Sequence, residues 1–418
     1  MKPTDVLVAG SGLAGLVAAL ACAARGKSVR VATRGAGTLA ISGGCVDVLG
    51  YVNGEIVQGY PLDSIAKLPE DHPYQVIGVD AVREALGFFE SVCRDQGLHL
   101  GNDQGENLWI PSILGTFKPS YLCPEQADRN VLANAACLLI AHLPWLKDCH
   151  AGMVHNVLLR QKRLRNKPMA VVPLSPPSGP THRNLNVLDM ARYVDTSEGE
   201  AWLHDELKSH IAARLGEKLA VLIPPVLGVT NSTAVRNRLA AALGCPLVEM
   251  AAPPPGVGGL RIRQALMKAL SQAGVLVAEN VHIVEARVEG KRCLGLFCDS
   301  PDKRRELEAD SFIIATGGFL GGGNIASPGM AREAIFNFDL GAPDTVEAWS
   351  VPDVFDPQPY ARLGVKVNGR LNALSARGEV LVENVFFAGR TLAGYDFVLE
   401  KSGHGVALAS GYHAAQQC

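Results

Sequence analysis

Three short, unbroken apolar runs, each ending in glycine, stand out along the chain. The first, residues 6–9 (Val-Leu-Val-Ala), runs into Gly10-x-Gly12-x-x-Gly15. A stretch rich in Ala and Leu follows as far as Arg25-Gly26, and then a second β-rich segment, Val29-Arg30-Val31-Ala32-Thr33. This order predicts strand, tight turn, helix and strand, the first βαβ unit of a dinucleotide-type fold. The second run, Ser311-Phe312-Ile313-Ile314-Ala315, passes into Thr316-Gly317-Gly318, and the third, Val385-Phe386-Phe387, into Ala388-Gly389. Ahead of the second run, residues 275–279, 281–289 and 292–299 alternate as a small antiparallel meander. Behind the third, Lys401-Ser402-Gly403-His404-Gly405 opens an apolar helix over 406–415.

From 63 to 240 the pattern is different. An amphipathic helix over 79–96 is followed by strand-like pieces around 111–118 and by helical patterns over 125–143, 185–193 and 198–215. The Pro-rich connector 173–180 is a loop, and 219–223 a buried strand that ends in Pro224-Pro225. No alternation of helix and strand with glycine turns is visible, so the segment reads as an inserted α+β cap. The expected organisation is a Rossmann-like α/β domain, discontinuous over 1–62, 241–330 and 360–418. A cap over 63–240 and a connecting segment over 331–359 complete it.

Charge removes whole classes of partner. Lys and Arg (39) nearly balance Asp and Glu (41), giving −2 over 418 residues with no basic or acidic tail. Nucleic acid is therefore not an expected partner. No apolar stretch reaches the roughly 18 residues that span a bilayer. The first run enters the glycine turn directly, as a strand and not as a signal peptide. The expectation is a cytoplasmic protein that meets a membrane only through partners. Ten cysteines are scattered without a Cys-x-x-Cys. Their spacing argues against a zinc ribbon or ferredoxin-type cluster and for buried reduced thiols, with no metal site expected.

The glycines carry the chemistry. Gly10 permits the turn, Gly12 lets backbone N–H groups approach a pyrophosphate, and Gly15 brings the helix close to the sheet. With Leu13 and Ala14 they form the expected phosphate site, at the positive end of the helix dipole. The acid that would hold an adenosine ribose about 20 residues further on is replaced by Thr33 and Arg34, at the distal end of the cofactor. A Thr hydroxyl cannot chelate two ribose hydroxyls as a carboxylate does.

Ala315-Thr316-Gly317-Gly318 resembles the second signature of two-dinucleotide-domain flavoproteins, the glutathione-reductase-like and fumarate-reductase-like class. The two motifs together imply a flavin. By that resemblance Ser42, Gly43 and Gly44 lie by the flavin ring, with Thr116 opposite. Gly317 and Gly389 end strands beside the cofactor. Gly403 and Gly405 put a helix N-terminus at the pyrimidine edge, where negative charge develops on reduction. His404 there either stabilises the reduced anion or faces solvent. Arg261 and Arg263, in the first turn of a helix opening at Arg261, disfavour its dipole unless an anion or polar ligand meets them. Lys118, Arg261, Arg263 and His404 are the candidates for a catalytic base and a phosphate-binding cation.

End to end, the chain resembles the B-subunit family of anaerobic glycerol-3-phosphate dehydrogenase. The matches are Gly12-Leu13-Ala14-Gly15-Leu16, Thr33-Arg34-Gly35, Ser42-Gly43 with Asp47, and His72-Pro73-Tyr74 with Gly78. They continue through Leu114-Gly115-Thr116, Ala191-Arg192, Arg261, Pro357-Gln358-Pro359, Gly403-x-Gly405-Val406 and Ala414-Ala415-Gln416. His404 departs from the glycine usual in the family. The resemblance implies a flavin subunit that works with a catalytic FAD subunit and a membrane-attached iron–sulfur subunit. The complex oxidises sn-glycerol 3-phosphate to dihydroxyacetone phosphate and passes electrons to quinone. The flavin it implies is FMN, which the missing ribose acid also favours, with FAD as the alternative. Two other readings stand beside it. One is an electron-transfer or assembly subunit without a substrate site. The other is a fumarate-reductase-like flavoprotein acting on a dicarboxylate, drawing on His182, Arg183 and Arg192 of the cap.

Overall fold

Val6 is 1% exposed and Leu7, Val8 and Ala9 not at all, as a strand covered on both faces requires. The computed structural model describes all residues except 1–3, 125, 126, 128, 178–184, 213–217 and 300–303. They form two compact units: 1–38, 47–92 and 266–418 in one, 39–46 and 93–265 in the other. These bounds differ from the expected ones. Residues 63–92 and the expected connector 331–359 belong with the glycine-turn unit, whereas 39–46 and 241–265 belong with the second.

The strands of the first unit are β1 (Thr4–Ala9), β2 (Val29–Ala32), β3 (Leu276–Ala278), β4 (His282–Glu289) and β5 (Arg292–Asp299). They continue with β6 (Arg305–Ile314), the hairpin β7 (Asn324–Ser327) and β8 (Met330–Glu333), and β9 (Val385–Phe387). The main sheet runs β3-β2-β1-β6-β5-β4, with β9 also on β6. β3, β2, β1, β6 and β9 are parallel, while β4 and β5 are antiparallel. One expectation is corrected here. Residues 275–279 are not part of a meander but form the outer parallel strand, with Val277 opposite Val31. A three-residue strand is too short for its pattern to say which neighbour it takes. From β1 the chain moves outward to β2 and β3, then returns to β6 on the other side of β1. Such a switch point opens a crevice at the carboxyl ends of the two strands. Helices α1 (Leu13–Ala24) and α2 (Gly403–Gln416) pack on each other beside the sheet. Gly411 permits the approach, since a Cβ there would fall 2.3 Å from the Ala14 carbonyl oxygen.

The second unit holds a four-stranded sheet in the order Met169–Pro173, Cys137–His142, Leu219–Ile223, Leu247–Glu249, with every pairing parallel. The expected α+β cap is thus an α/β layer. The difference lies in 137–142, read from sequence as part of a helix over 125–143. Among the described residues, the helix there is only Arg129–Asn134, and Cys137 to Ala141 form a central strand buried on both sides. A continuous apolar run of that length does not distinguish a buried strand from a buried helix. The helix expected to open at Arg261 begins four residues earlier, as Val257–Gln272, so Arg261 falls in its second turn, away from the dipole's positive end. Burial pushes the Cys149 and Cys245 thiols up to about 11 and Cys293 up to about 12. These sulfurs stay protonated and inert. Among the described residues, no helix is long and apolar enough to cross a membrane.

Candidate functional site

The three glycines of the first turn do different work. Gly10 has φ +110°, and a Cβ there would lie 2.3 Å from the Ala315 carbonyl oxygen, so it lets β1 and the end of β6 close together. A Cβ on Gly15 would meet the Gly10 oxygen at 2.0 Å, so Gly15 sets α1 against the turn. Gly12 is the opposite case: a Cβ there meets nothing within 4 Å. Gly12 is also the N-cap of α1, no side chain caps the helix, and its first turn holds no acid. Open space over an uncapped helix N-terminus at the switch point fits a pyrophosphate.

At the far end of β2, Thr33 is 4% exposed and engaged locally. Its hydroxyl donates to the Gly35 carbonyl at 2.7 Å and lies 3.0 Å from Ser11 Oγ. Thr33 therefore ties the loop after β2 to the glycine turn, while Arg34 is exposed.

The opposite wall comes from the end of β9. The Gly389 N–H donates to Ser410 Oγ at 2.8 Å, and that hydroxyl donates to the Val406 carbonyl at 2.6 Å. One buried serine thus joins the β9 turn to α2. Ser410→Ala is expected to cost about 1–2 kcal/mol by leaving a buried N–H unpaired, and to loosen flavin retention. Melting curves with and without added flavin separate the two effects. Beside this turn the Arg390 guanidinium lies 3.2 Å from the centre of the Phe397 ring, and burial lowers its pKa. No side chain caps α2 either. Gly405 is a packing glycine: its N–H donates to the Asp47 carbonyl at 2.9 Å, and a Cβ would fall 2.1 Å from the Tyr74 hydroxyl. Gly403 has Phe397 beside it, and Gly317, with φ +84°, turns next to Gly321.

The other expected residues lie in the second unit. Ser42, Gly43 and Gly44 pack backbone to backbone on Gly256, Gly258 and Gly259; a Cβ on Gly44 would meet the Gly258 Cα at 2.4 Å. Thr116 Oγ1 sits 2.8 Å from Ser112 Oγ. Lys118 lies on a short hairpin opposite Ile110. Arg261 is 6% exposed and committed: Nη1 and Nη2 donate to Glu249 at 2.6 and 2.9 Å, and Nε to the Gly228 carbonyl at 2.8 Å. Arg263 is half-buried and Arg192 exposed. His182 and Arg183 lie outside the described residues. Of the catalytic candidates, only His404 belongs to the first unit.

Residues 5–406 match the FAD binding domain family. The probable anaerobic glycerol-3-phosphate dehydrogenase B subunit of Halobacterium salinarum is 31% identical over 422 residues, 98% of this chain and 96% of its own. The chain belongs to the B-subunit family of anaerobic glycerol-3-phosphate dehydrogenase. The B subunit of Pectobacterium atrosepticum is 29% identical and covers 99% of this chain and 98% of its own. Among solved structures, the open conformation of a flavocytochrome c3 fumarate reductase is similar at 11% identity and a TM-score of 0.43. That likeness covers all of this chain and 78% of the other. As a member of the B-subunit and FAD binding domain families, the protein is a flavin oxidoreductase.

The motifs of this B-subunit protein missed three polar groupings. His72, fully buried, accepts the Tyr74 N–H on Nδ1 at 3.0 Å, so Nε2 carries the proton and faces Glu400 at 3.2 Å. Glu400 also accepts from Ser402 Oγ at 2.9 Å, just before α2. His72-Pro73-Tyr74 belongs to the family resemblance, but only the fold joins it to Glu400. The second grouping follows Thr316. Asn324 stands opposite Glu333 in the β7–β8 pair, 2% and 1% exposed. Among the described residues, both Asn324 side-chain polar atoms, Glu333 Oε1 and Thr316 Oγ1 lack a hydrogen-bond partner. Burial pushes the Glu333 carboxyl up to about 7. The third, in the second unit, is a cavity of about 40 Å³ lined by Arg236, Arg261, Glu249, Ser232 and Thr233.

Proposed function

We propose that the protein is the flavin-containing B subunit of a glycerol-3-phosphate dehydrogenase complex. In this reading it contributes to oxidation of sn-glycerol 3-phosphate to dihydroxyacetone phosphate, with electrons leaving toward quinone. What carries the reading is the open, uncapped N-terminus of α1 at Gly12, in a chain matched by B-subunit relatives along 98% of its length. We infer FAD rather than the expected FMN. The FAD binding domain match supports it; Thr33 is engaged with Gly35, so a group other than Thr33 would hold the ribose. Extraction and mass measurement of the flavin tests this: FMN would reverse the choice.

A bound flavin supplies hydride acceptance and single-electron delivery. The chain's own part is to hold the phosphates on the amides after Gly12, to tie the β9 turn to α2 through Ser410 and to set α2 against the start of α1 through Gly411. We assign His404, on the first turn of α2, as the group facing charge that builds on reduction. Arg261 keeps Glu249 in position. Two partners, a catalytic FAD subunit and an iron–sulfur subunit, supply the membrane attachment at the cytoplasmic face.

Glycerol 3-phosphate added anaerobically to the isolated chain is expected to bleach its flavin absorbance. No bleaching alone, but reduction once the catalytic subunit is added, favours the electron-transfer reading. Bleaching by neither overturns the proposal.

A further inference from the structure

The first unit carries an apolar projection that the cofactor site does not use. Phe355 is 87% exposed and its neighbour Val354 77%, while Tyr360 close by in sequence is 45% exposed. A single exposed apolar side chain is ordinary, but these two adjacent ones are held in place. The side chain of Gln358 makes three hydrogen bonds to the loop. Its Nε2 donates to the Asp353 carbonyl at 2.8 Å and the Asp356 carbonyl at 3.0 Å, and its Oε1 accepts the Val351 N–H at 3.1 Å. Asp353 Oδ1 accepts the Phe355 N–H at 2.9 Å, and the Asp356 N–H closes the turn onto the Asp353 carbonyl at 3.2 Å. The loop is thus ordered around one amide, so docking Phe355 costs little further backbone entropy.

Charge decides what it meets. From 334 to 361 the chain carries five carboxylates (Asp339, Asp344, Glu347, Asp353 and Asp356) and no Lys or Arg. Asp353 and Asp356, both exposed, flank the two apolar side chains. An acidic rim repels the anionic surface of a cytoplasmic leaflet and complements a basic one. We propose that Val354 and Phe355 form a preformed anchor for a partner protein of the same complex, entering an apolar pocket with a basic rim. This rests on the multi-subunit reading given above. An ordered aromatic placed in a partner's pocket is the usual form of an interface hot spot.

The test uses the full flavin-loaded chain and Phe355→Ser and Gln358→Ala variants, titrated with the purified catalytic flavin subunit and the purified iron–sulfur subunit. Vesicles of phosphatidylcholine and phosphatidylglycerol serve as the lipid probe. Phe355→Ser is expected to keep flavin content and melting temperature, because its ring touches little, and to bind one of the subunits about ten-fold or more weakly. Gln358→Ala, which only unties the loop, is expected to lose less affinity. Equal binding by wild type and Phe355→Ser overturns the anchor. Loss of vesicle binding with partner binding intact overturns it in favour of lipid. If the wild type binds neither subunit, the multi-subunit reading fails first, and the anchor with it.

Discussion

A Gly12→Asp variant is expected to fold, to melt no lower than the parent, and to retain far less flavin. Gly12 sits at φ −71°, a conformation open to any residue, and a Cβ there meets nothing within 4 Å. Asp is among the best N-cap residues, so its carboxylate should stabilise α1 by about 1 kcal/mol in the free protein. The same carboxylate takes the place of the phosphate and repels it. Loss of one charge-assisted contact, about 2–3 kcal/mol, corresponds to a fall in flavin affinity of about 100-fold. Gly10→Ala and Gly15→Ala are the controls, since their Cβ atoms would fall 2.3 and 2.0 Å from backbone oxygens. They are expected to lower the melting temperature as well as the flavin content. Flavin released by denaturation, measured per mole of protein beside a thermal melt, separates the cases. A Gly12→Asp protein with the parent's flavin content would remove α1 as the phosphate site.

Stability is expected to fall as pH rises from about 4.5 to 7, and Glu333→Gln is expected to abolish that slope. Burial moves the Glu333 carboxyl from 4.5 to about 7 in the folded chain. Between those values the folded state holds a proton that the unfolded state has released, so unfolding becomes easier as pH increases. Above pH 7 the penalty is complete, on the order of 3 kcal/mol for a shift of this size. Below 4.5 it is absent. Oε2 accepts the Ile335 and Phe336 N–H groups at 3.0 and 2.6 Å, a role that a Gln oxygen also fills. Denaturant midpoints at pH 5 and 8 are the measurement. If Glu333→Gln keeps the wild-type difference between them, Glu333 is not its source.

The glycine turn was legible because its requirements are local. Gly10 and Gly15 are demanded by backbone atoms whose approach follows from strand, turn and helix in immediate succession. Continuous apolar runs were less informative. Residues 137–142, read as part of a helix, form a strand, and their sheet neighbours, 169–173 and 219–223, lie some thirty and eighty residues away. Arg261 shows the same limit in the site. Its charge near a helix start pointed to an anion, and the anion it meets is Glu249, brought beside it by folding within the second unit.

Sequence by itself determined the first βαβ unit, its glycine turn and the family, because each rests on residue types at short, fixed spacing. Tertiary structure alone decided that Ser410 holds Gly389, that His72 faces Glu400, and that Glu333 lies buried opposite Asn324. Those pairings join segments whose separation along the chain says nothing about their distance in space. Burial, which moves a pKa or commits a hydrogen bond, exists only once the chain has closed on itself.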